Sequence, residues 1–166
     1  MKNEAVKLYI KKGTTIEILF LDGTTRKYDV LSLVDKYPQL SQLKNRKLFL
    51  NGKLFGWGGV IWDDNLDLDA EVVYEDGEIV ESEECSSEII LGYIIKKERL
   101  KKELTQHQLS RIINMDQSDL SKIENGKLCP SLSTIKRIAK GLNTQIHLDI
   151  FWTIFNSLLI QIINTA

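Results

Sequence analysis

The chain has 166 residues, with 22 Lys+Arg against 23 Asp+Glu and 43% hydrophobic residues. That is enough for one large core or two small ones, and too balanced in charge for a uniformly basic or acidic chain. Its two cysteines, Cys85 and Cys129, form neither a metal-binding spacing nor a disulfide framework, so both are expected to be free thiols in a reducing cytoplasm.

The charge is unevenly divided. Residues 1–86 carry 11 Lys+Arg and 16 Asp+Glu, residues 87–150 carry 11 and 7, and no charged side chain follows Asp149. A basic second half is what a phosphate-binding surface requires. The N-terminus shows no apolar signal segment.

In chain order, Val6, Leu8 and Ile10 alternate with Lys7, Tyr9 and Lys11, which predicts a strand over 5–11. Ile16, Ile18 and Phe20 repeat the alternation over 15–21. Asp22-Gly23 is a hairpin signal, and 24–30 returns as a third strand. Asp29 or Ser32 can cap a short helix over 31–36 that ends before Pro38. Leu40 and Leu43 mark another short turn. Residues 47–55 read as a strand, Gly56 to Gly59 as a turn, Val60-Ile61-Trp62 as a strand, and Asp63 to Tyr74 as a polar closing loop. This is a small α+β domain with an antiparallel sheet, expected over residues 1–78.

Asp63, Asp64, Asp67 and Asp69 lack the glycine and bidentate glutamate of a calcium loop, so they read as solvated acids. Trp57 and Trp62 read as core rather than a ligand groove. His107 and His147, the two histidines, stand in no catalytic arrangement with Ser, Cys or paired carboxylates. No catalytic residue, no metal ligand and no cofactor is expected, and the chain is read as not an enzyme.

Glu75 to Glu88 is polar and acidic, and residues 79–87 are taken as a linker whose charge would keep the N-terminal domain off nucleic acid. Ser86 or Ser87 can cap a helix over 88–103, with Leu91, Ile95 and Arg99 on one face. Thr105 is a hydroxyl N-cap with Gln108 as its capping-box partner. Leu109 and Ile113 share a helix face, Asn114 suits a left-handed turn, and Met115 points to the core. Asp116 is a second N-cap, Leu120 and Ile123 form the next apolar stripe, and Asn125-Gly126 ends that helix. Two short helices joined by a tight turn make a helix-turn-helix. Pro130-Ser131 resets the chain for a helix over 132–141, marked by Leu132, Ile135, Ile138 and Ala139 and ended by Gly141. Ile146, Leu148 and Ile150 then alternate with Gln145, His147 and Asp149 as a strand. The apolar tail to Ala166 is broken by Asn156, Gln161 and Asn164 and is short and polar for a membrane span, so it is expected to pack as a helix at a dimer or partner interface, with a weak membrane anchor as the alternative. The domains are thus 1–78, a linker over 79–87, a helix-turn-helix domain over 88–143, and a strand and tail over 144–166.

Leu104 to Gly126, with Lys127 to Ser131 after it, closely resembles the Xre/Cro/C1-type DNA-binding domain of prokaryotic repressors and antitoxins, from about Ile89 to Leu142. The resemblance implies an all-α, lambda-repressor-like fold and an Arg99–Glu124 ion pair tying its first helix to the recognition helix. It also implies a recognition helix over about 117–124 in the major groove of double-stranded DNA. Gln117, Ser118, Ser121 and Lys122 would face base edges, Gln106 would bond a phosphate, and Asn125, Lys127 and Lys136 would flank the groove. Asp119 would act as a dipole partner of the helix N-terminus. Residues 4–75 resemble the domain-of-unknown-function family 2442, through Phe20-x-Asp22-Gly23-x-x-Arg26-x-Tyr28-Asp29, Lys47-Leu48-Phe49, Ile61-Trp62 with Asp67-Leu68-Asp69, and Tyr74. Asp63 and Ala70 replace its usual prolines.

The expected function is a cytoplasmic, repressor-like regulator acting as a homodimer on an inverted repeat, with Ile146, Leu148 and Ile150 in the dimer interface. The alternative is an antitoxin that covers a toxin and represses its own operon.

Overall fold

The computed structural model describes residues 4–55, 58–81 and 86–144. Trp57, Cys85, and the expected strand at 145–150 with Ile146, Leu148, Ile150 and the tail lie outside the described residues.

β1 (Ala5–Ile10), β2 (Thr15–Phe20) and β3 (Thr25–Asp29) form an antiparallel meander. The β2–β3 turn is built as Asp22-Gly23 requires. Gly23 takes φ +89°, and the Asp22 carboxylate accepts from the Thr24 N–H at 2.9 Å and the Thr24 hydroxyl at 2.7 Å. The Asp29 carboxylate accepts from the Leu31 N–H and caps a short 3-10 helix (Val30–Leu33), tighter and shorter than the helix expected there. A second 3-10 helix (Pro38–Lys44) buries Leu40 and Leu43.

Residues 47–55 are not one strand. Asn45 caps α1 (Arg46–Phe49) by accepting from the Lys47 N–H, and β4 (Lys53–Phe55) is confined to the end of the segment. β5 (Gly59–Asp63) pairs with β4 on one side and with β6 (Leu66–Leu68) on the other. The polar closing loop is also replaced by structure. Leu66 and Leu68 point inward from β6, and Asp69 caps α2 (Ala70–Asp76) by accepting from the Glu71 N–H at 2.9 Å. β7 (Glu78–Val80) then pairs with β3, giving the sheet order β1-β2-β3-β7, so Ile79 and Val80, read as linker, are edge strand.

Ile16, Ile18, Phe20, Phe49, Val60, Leu66 and Val73 fill the core between the two sheets and α2. Trp62 belongs to it, stacking on Phe49 at 6.0 Å and donating its indole N–H to the Phe49 carbonyl at 3.1 Å. Gly52 leaves room for that indole, because a Cβ there would stand 2.7 Å from Trp62 Nε1. The motif residues of the N-terminal half close the same unit. Tyr74 donates its hydroxyl to Asp22 at 2.8 Å, meets Phe20 edge-on, and carries the Arg26 guanidinium 4.4 Å above its ring.

The C-terminal unit is helical: α3 (Ser86–Lys101), α4 (Gln106–Ile112), α5 (Gln117–Glu124) and α6 (Leu132–Gly141). Ile95, Leu109, Ile113, Leu120, Ile123, Ile138 and Leu142 make its core, with Leu91, Leu104 and Met115 against them. Each helix ends in a left-handed residue: Glu103, Asn114, Gly126 and Asn143, at φ 55°, 48°, 66° and 49°. The residue after each donates its N–H back five positions: Leu104 to Arg99, Met115 to Ser110, Lys127 to Lys122 and Thr144 to Ala139. This is the Schellman arrangement that satisfies terminal carbonyls. Gly141 is therefore not the left-handed stop of α6, since Asn143 takes that part. Gly141 is there for space, because a Cβ would stand 2.3 Å from Ile113 Cγ2.

Candidate nucleic-acid interface

The start of the helix-turn-helix is set by a side-chain cap. Thr105 Oγ1 accepts from the Gln108 N–H at 3.1 Å while Gln108 Oε1 accepts from the Thr105 N–H at 2.8 Å, a complete capping box. That places Gln106 in the first turn of α4. After the Asn114 turn, Asp116 has the extended backbone of an N-cap, yet its carboxylate makes no cap hydrogen bond. Its side chain is exposed, so solvent is available to the first N–H groups of α5 in its stead.

The structure brings Arg99 and Glu124 together as expected. Arg99 Nε and Nη2 donate to the two Glu124 oxygens at 2.6 and 2.8 Å, and Nη1 donates to the Leu104 carbonyl at 2.6 Å. The pair is buried, with side-chain exposures of 7% and 0%. The hydrogen bonds to Glu124 hold the guanidinium above its ordinary pKa against the opposing effect of burial.

The pair extends to the surface through two glutamines. Gln106 Nε2 donates to Glu124 Oε2 at 2.8 Å, and Gln106 Oε1 accepts from Gln117 Nε2 at 2.7 Å. The direction is forced: a carboxylate only accepts, so the Gln106 nitrogen must face Glu124, and its oxygen is left for Gln117. The resemblance implies a phosphate contact for Gln106, and the structure gives it a second role that the sequence does not signal. Two polar side chains eleven residues apart give no local signal that they meet.

The other expected contact residues lie on α5 or just past its C-terminal end. Gln117, Ser118, Lys122, Asn125 and Lys127 are exposed, and Ser121 is half-buried. Lys122 pairs with Asp119 at 2.8 Å, a solvent-exposed link that is cheap to exchange. Asn125 turns its amide back to the Ser121 carbonyl at 2.6 Å, so it caps α5 as well as flanking it.

Two glycines set how α5 is mounted. A Cβ on Gly92 in α3 would stand 2.3 Å from the Ile123 carbonyl oxygen, so the two helices cross backbone to backbone. A Cβ on Gly126 would meet Ile89 at 2.8 Å, and its φ of +66° disfavours any other residue.

Residues 95–148 match the helix-turn-helix family. The C-terminal unit is a helix-turn-helix domain. Residues 5–78 match a second family, described as a protein of unknown function (DUF2442), so the helix-turn-helix domain follows that unit in the chain. A curated relative, the ImmF control region 10 kDa protein of Bacillus phage phi105, is 39% identical over 57 residues, 34% of this chain. The chain spans 63% of that relative's length. Among solved structures, the restriction-modification controller protein C.AhdI from Aeromonas hydrophila is 27% identical, covering 33% of this chain and 83% of its own, with a TM-score of 0.33. The wild-type controller protein C.Esp1396I is 29% identical, covering 46% of this chain and 91% of its own, also at 0.33. Among the described residues, no helix is long and apolar enough to cross a membrane.

Proposed function

We propose that the chain is a sequence-specific DNA-binding transcription regulator, working as a dimer on an inverted-repeat operator. The observation that carries the reading is the Arg99–Glu124–Gln106–Gln117 chain of hydrogen bonds. It holds one side chain at the exposed start of a recognition-type helix, at no cost in ordering when DNA arrives. With one N–H engaged by Gln106, Gln117 keeps its other N–H and its carbonyl oxygen. That donor and acceptor side by side match adenine N6 and N7 in the major groove. Lys122 exchanges Asp119 for guanine O6 or N7, Ser118 and Ser121 line the groove, and Lys127 and Asn125 meet phosphates. The net basic charge of the C-terminal half supplies the sequence-independent attraction.

The helix-turn-helix family match and the identity to a phage control-region protein support regulation rather than catalysis. A single helix-turn-helix contacts a half-site, and two must sit about 34 Å apart to read a palindrome. The alternating Ile146, Leu148 and Ile150 are the segment we assign to that two-fold contact, which Leu148→Asp tests by sedimentation.

Selection of bound sequences from random duplexes tests the main reading. Gln117→Ala is expected to weaken the selected site by roughly 1–3 kcal/mol and relax one base position, and Lys127→Ala to weaken all sequences alike. A Gln117→Ala protein with unchanged discrimination between sites removes the assignment of α5.

A further inference from the structure

The two halves of the chain meet at one side of α3. Glu4, just ahead of β1, accepts from the Tyr93 hydroxyl at 2.5 Å and from Lys97 Nζ at 2.5 and 2.7 Å. Tyr93 and Lys97 are four apart and share a helix face. Each is two residues from Ile95, and at 3.6 residues per turn that places both about 160° round the helix from it. Ile95 faces the helix-turn-helix core. Gly92 lies against α5, and Tyr93 and Lys97 stand about 100° and 140° round the helix from it, so α3 presents one face to α5 and a separate face to the N-terminal unit.

We propose that Glu4 is an electrostatic latch that parks the acidic N-terminal unit on a face of α3 separate from the one that carries the DNA-reading helix. The effect on DNA binding rests on the function proposed above; the latch itself does not. Two features make a small contact sufficient. The Tyr93 and Lys97 bonds to a carboxylate are both charge-assisted, and Glu4 is only 22% exposed. The units are also joined covalently between Glu81 and Ser86, a step of at most about 18 Å, so docking is intramolecular at high effective concentration. Released, the N-terminal half carries five more acidic than basic residues on that short tether. It then competes with phosphate for the basic surface of the helix-turn-helix unit.

The test uses the full chain as wild type, Glu4→Ala, Glu4→Lys, and the swap Glu4→Lys with Lys97→Glu. Backbone amide relaxation is expected to give one rotational correlation time for both units of the wild type. Glu4→Ala and Glu4→Lys are expected to give two shorter ones, and the swap to restore a single one. Two correlation times in the wild type, or one in Glu4→Lys, overturn the latch.

Affinity for a selected duplex then tests the parking. Removing one acidic charge would by itself strengthen binding to DNA. The latch predicts the reverse for Glu4→Ala: several-fold weaker binding at low salt, converging with wild type as salt rises. Equal or tighter binding by a Glu4→Ala protein whose units tumble apart overturns the parking role. A wild type that tumbles as one body and binds no duplex leaves the latch supported and removes the DNA-binding reading.

Discussion

Arg99→Met removes the guanidinium from a carboxylate that has no exposed side-chain surface. Glu124 is then left with the Gln106 amide as its partner among the described residues, and the Leu104 carbonyl loses its donor. Breaking one side of a buried pair costs roughly 3–5 kcal/mol, because the remaining charge stays desolvated. In a unit of this size each kcal/mol moves the midpoint by about 4–8 °C, so the melting temperature should fall by at least about 12 °C. Far-UV circular dichroism follows the helices, while emission in a Trp57→Phe, Trp152→Phe background, where Trp62 is the one tryptophan left, follows the N-terminal core and should be far less affected. Arg99→Met combined with Glu124→Leu removes both charges and should recover much of the loss, giving a positive coupling in a double-mutant cycle. A double variant as unstable as the two single losses added together would show that the pair is not acting as a desolvated unit.

Thr105→Ala removes the hydroxyl half of the capping box and should cost about 1 kcal/mol in a denaturant melt, with Thr105→Ser retaining most of it. The Glu4 contact should also report pH. Burial pushes the Glu4 carboxyl up, but the hydrogen bonds from Lys97 and Tyr93, with the Lys97 charge, outweigh it and hold it below its ordinary 4.5. A lowered carboxyl stabilises the docked state above pH 4.5 and loses that contribution as pH falls through its docked value. Burial first and Glu4 second push the Tyr93 hydroxyl up to about 12, from an ordinary 10.0, so its contribution is complete below pH 10 and lost on the way to about 12. The shared correlation time should therefore hold at neutral pH and split at both extremes, and Glu4→Ala should show no such acid transition.

The helix-turn-helix was legible because its information is local. Thr105 and Gln108 cap within one turn, Asn114 marks the left-handed residue by its type, and Leu109, Ile113, Leu120 and Ile123 repeat at helical spacing. The hairpin at Asp22-Gly23 was readable for the same reason. The segment 47–55 misled because Leu48, Leu50 and Leu54 sit at even spacing, a strand-like pattern, while Asn45 as a helix cap outside the window decided its start. Asp63 to Tyr74 looked polar because four aspartates masked Leu66 and Leu68, the inward pair of a three-residue strand. In the candidate site, Arg99 with Glu124 was expected only through the resemblance. The Gln106–Gln117 bond and the Glu4 contact with Tyr93, 89 residues away, depend on packing that no local pattern encodes.

Gly92 lies against Ile123 and Glu124, and Ile89, one turn earlier in α3, lies against Gly126. A rod gripped at one point can pivot; a rod gripped at two is aimed. α5 is thus anchored at its C-terminal end, with Leu120 in the core at its middle, and forms an arm of eight residues back to Gln117. At 1.5 Å per residue the arm is about 12 Å long, and an error of about 5° at the clamp moves its tip by about 1 Å. That is the difference between a hydrogen bond and a miss. The direction that α5 takes to Gln117 is set at its other end by two residues that have no side chain.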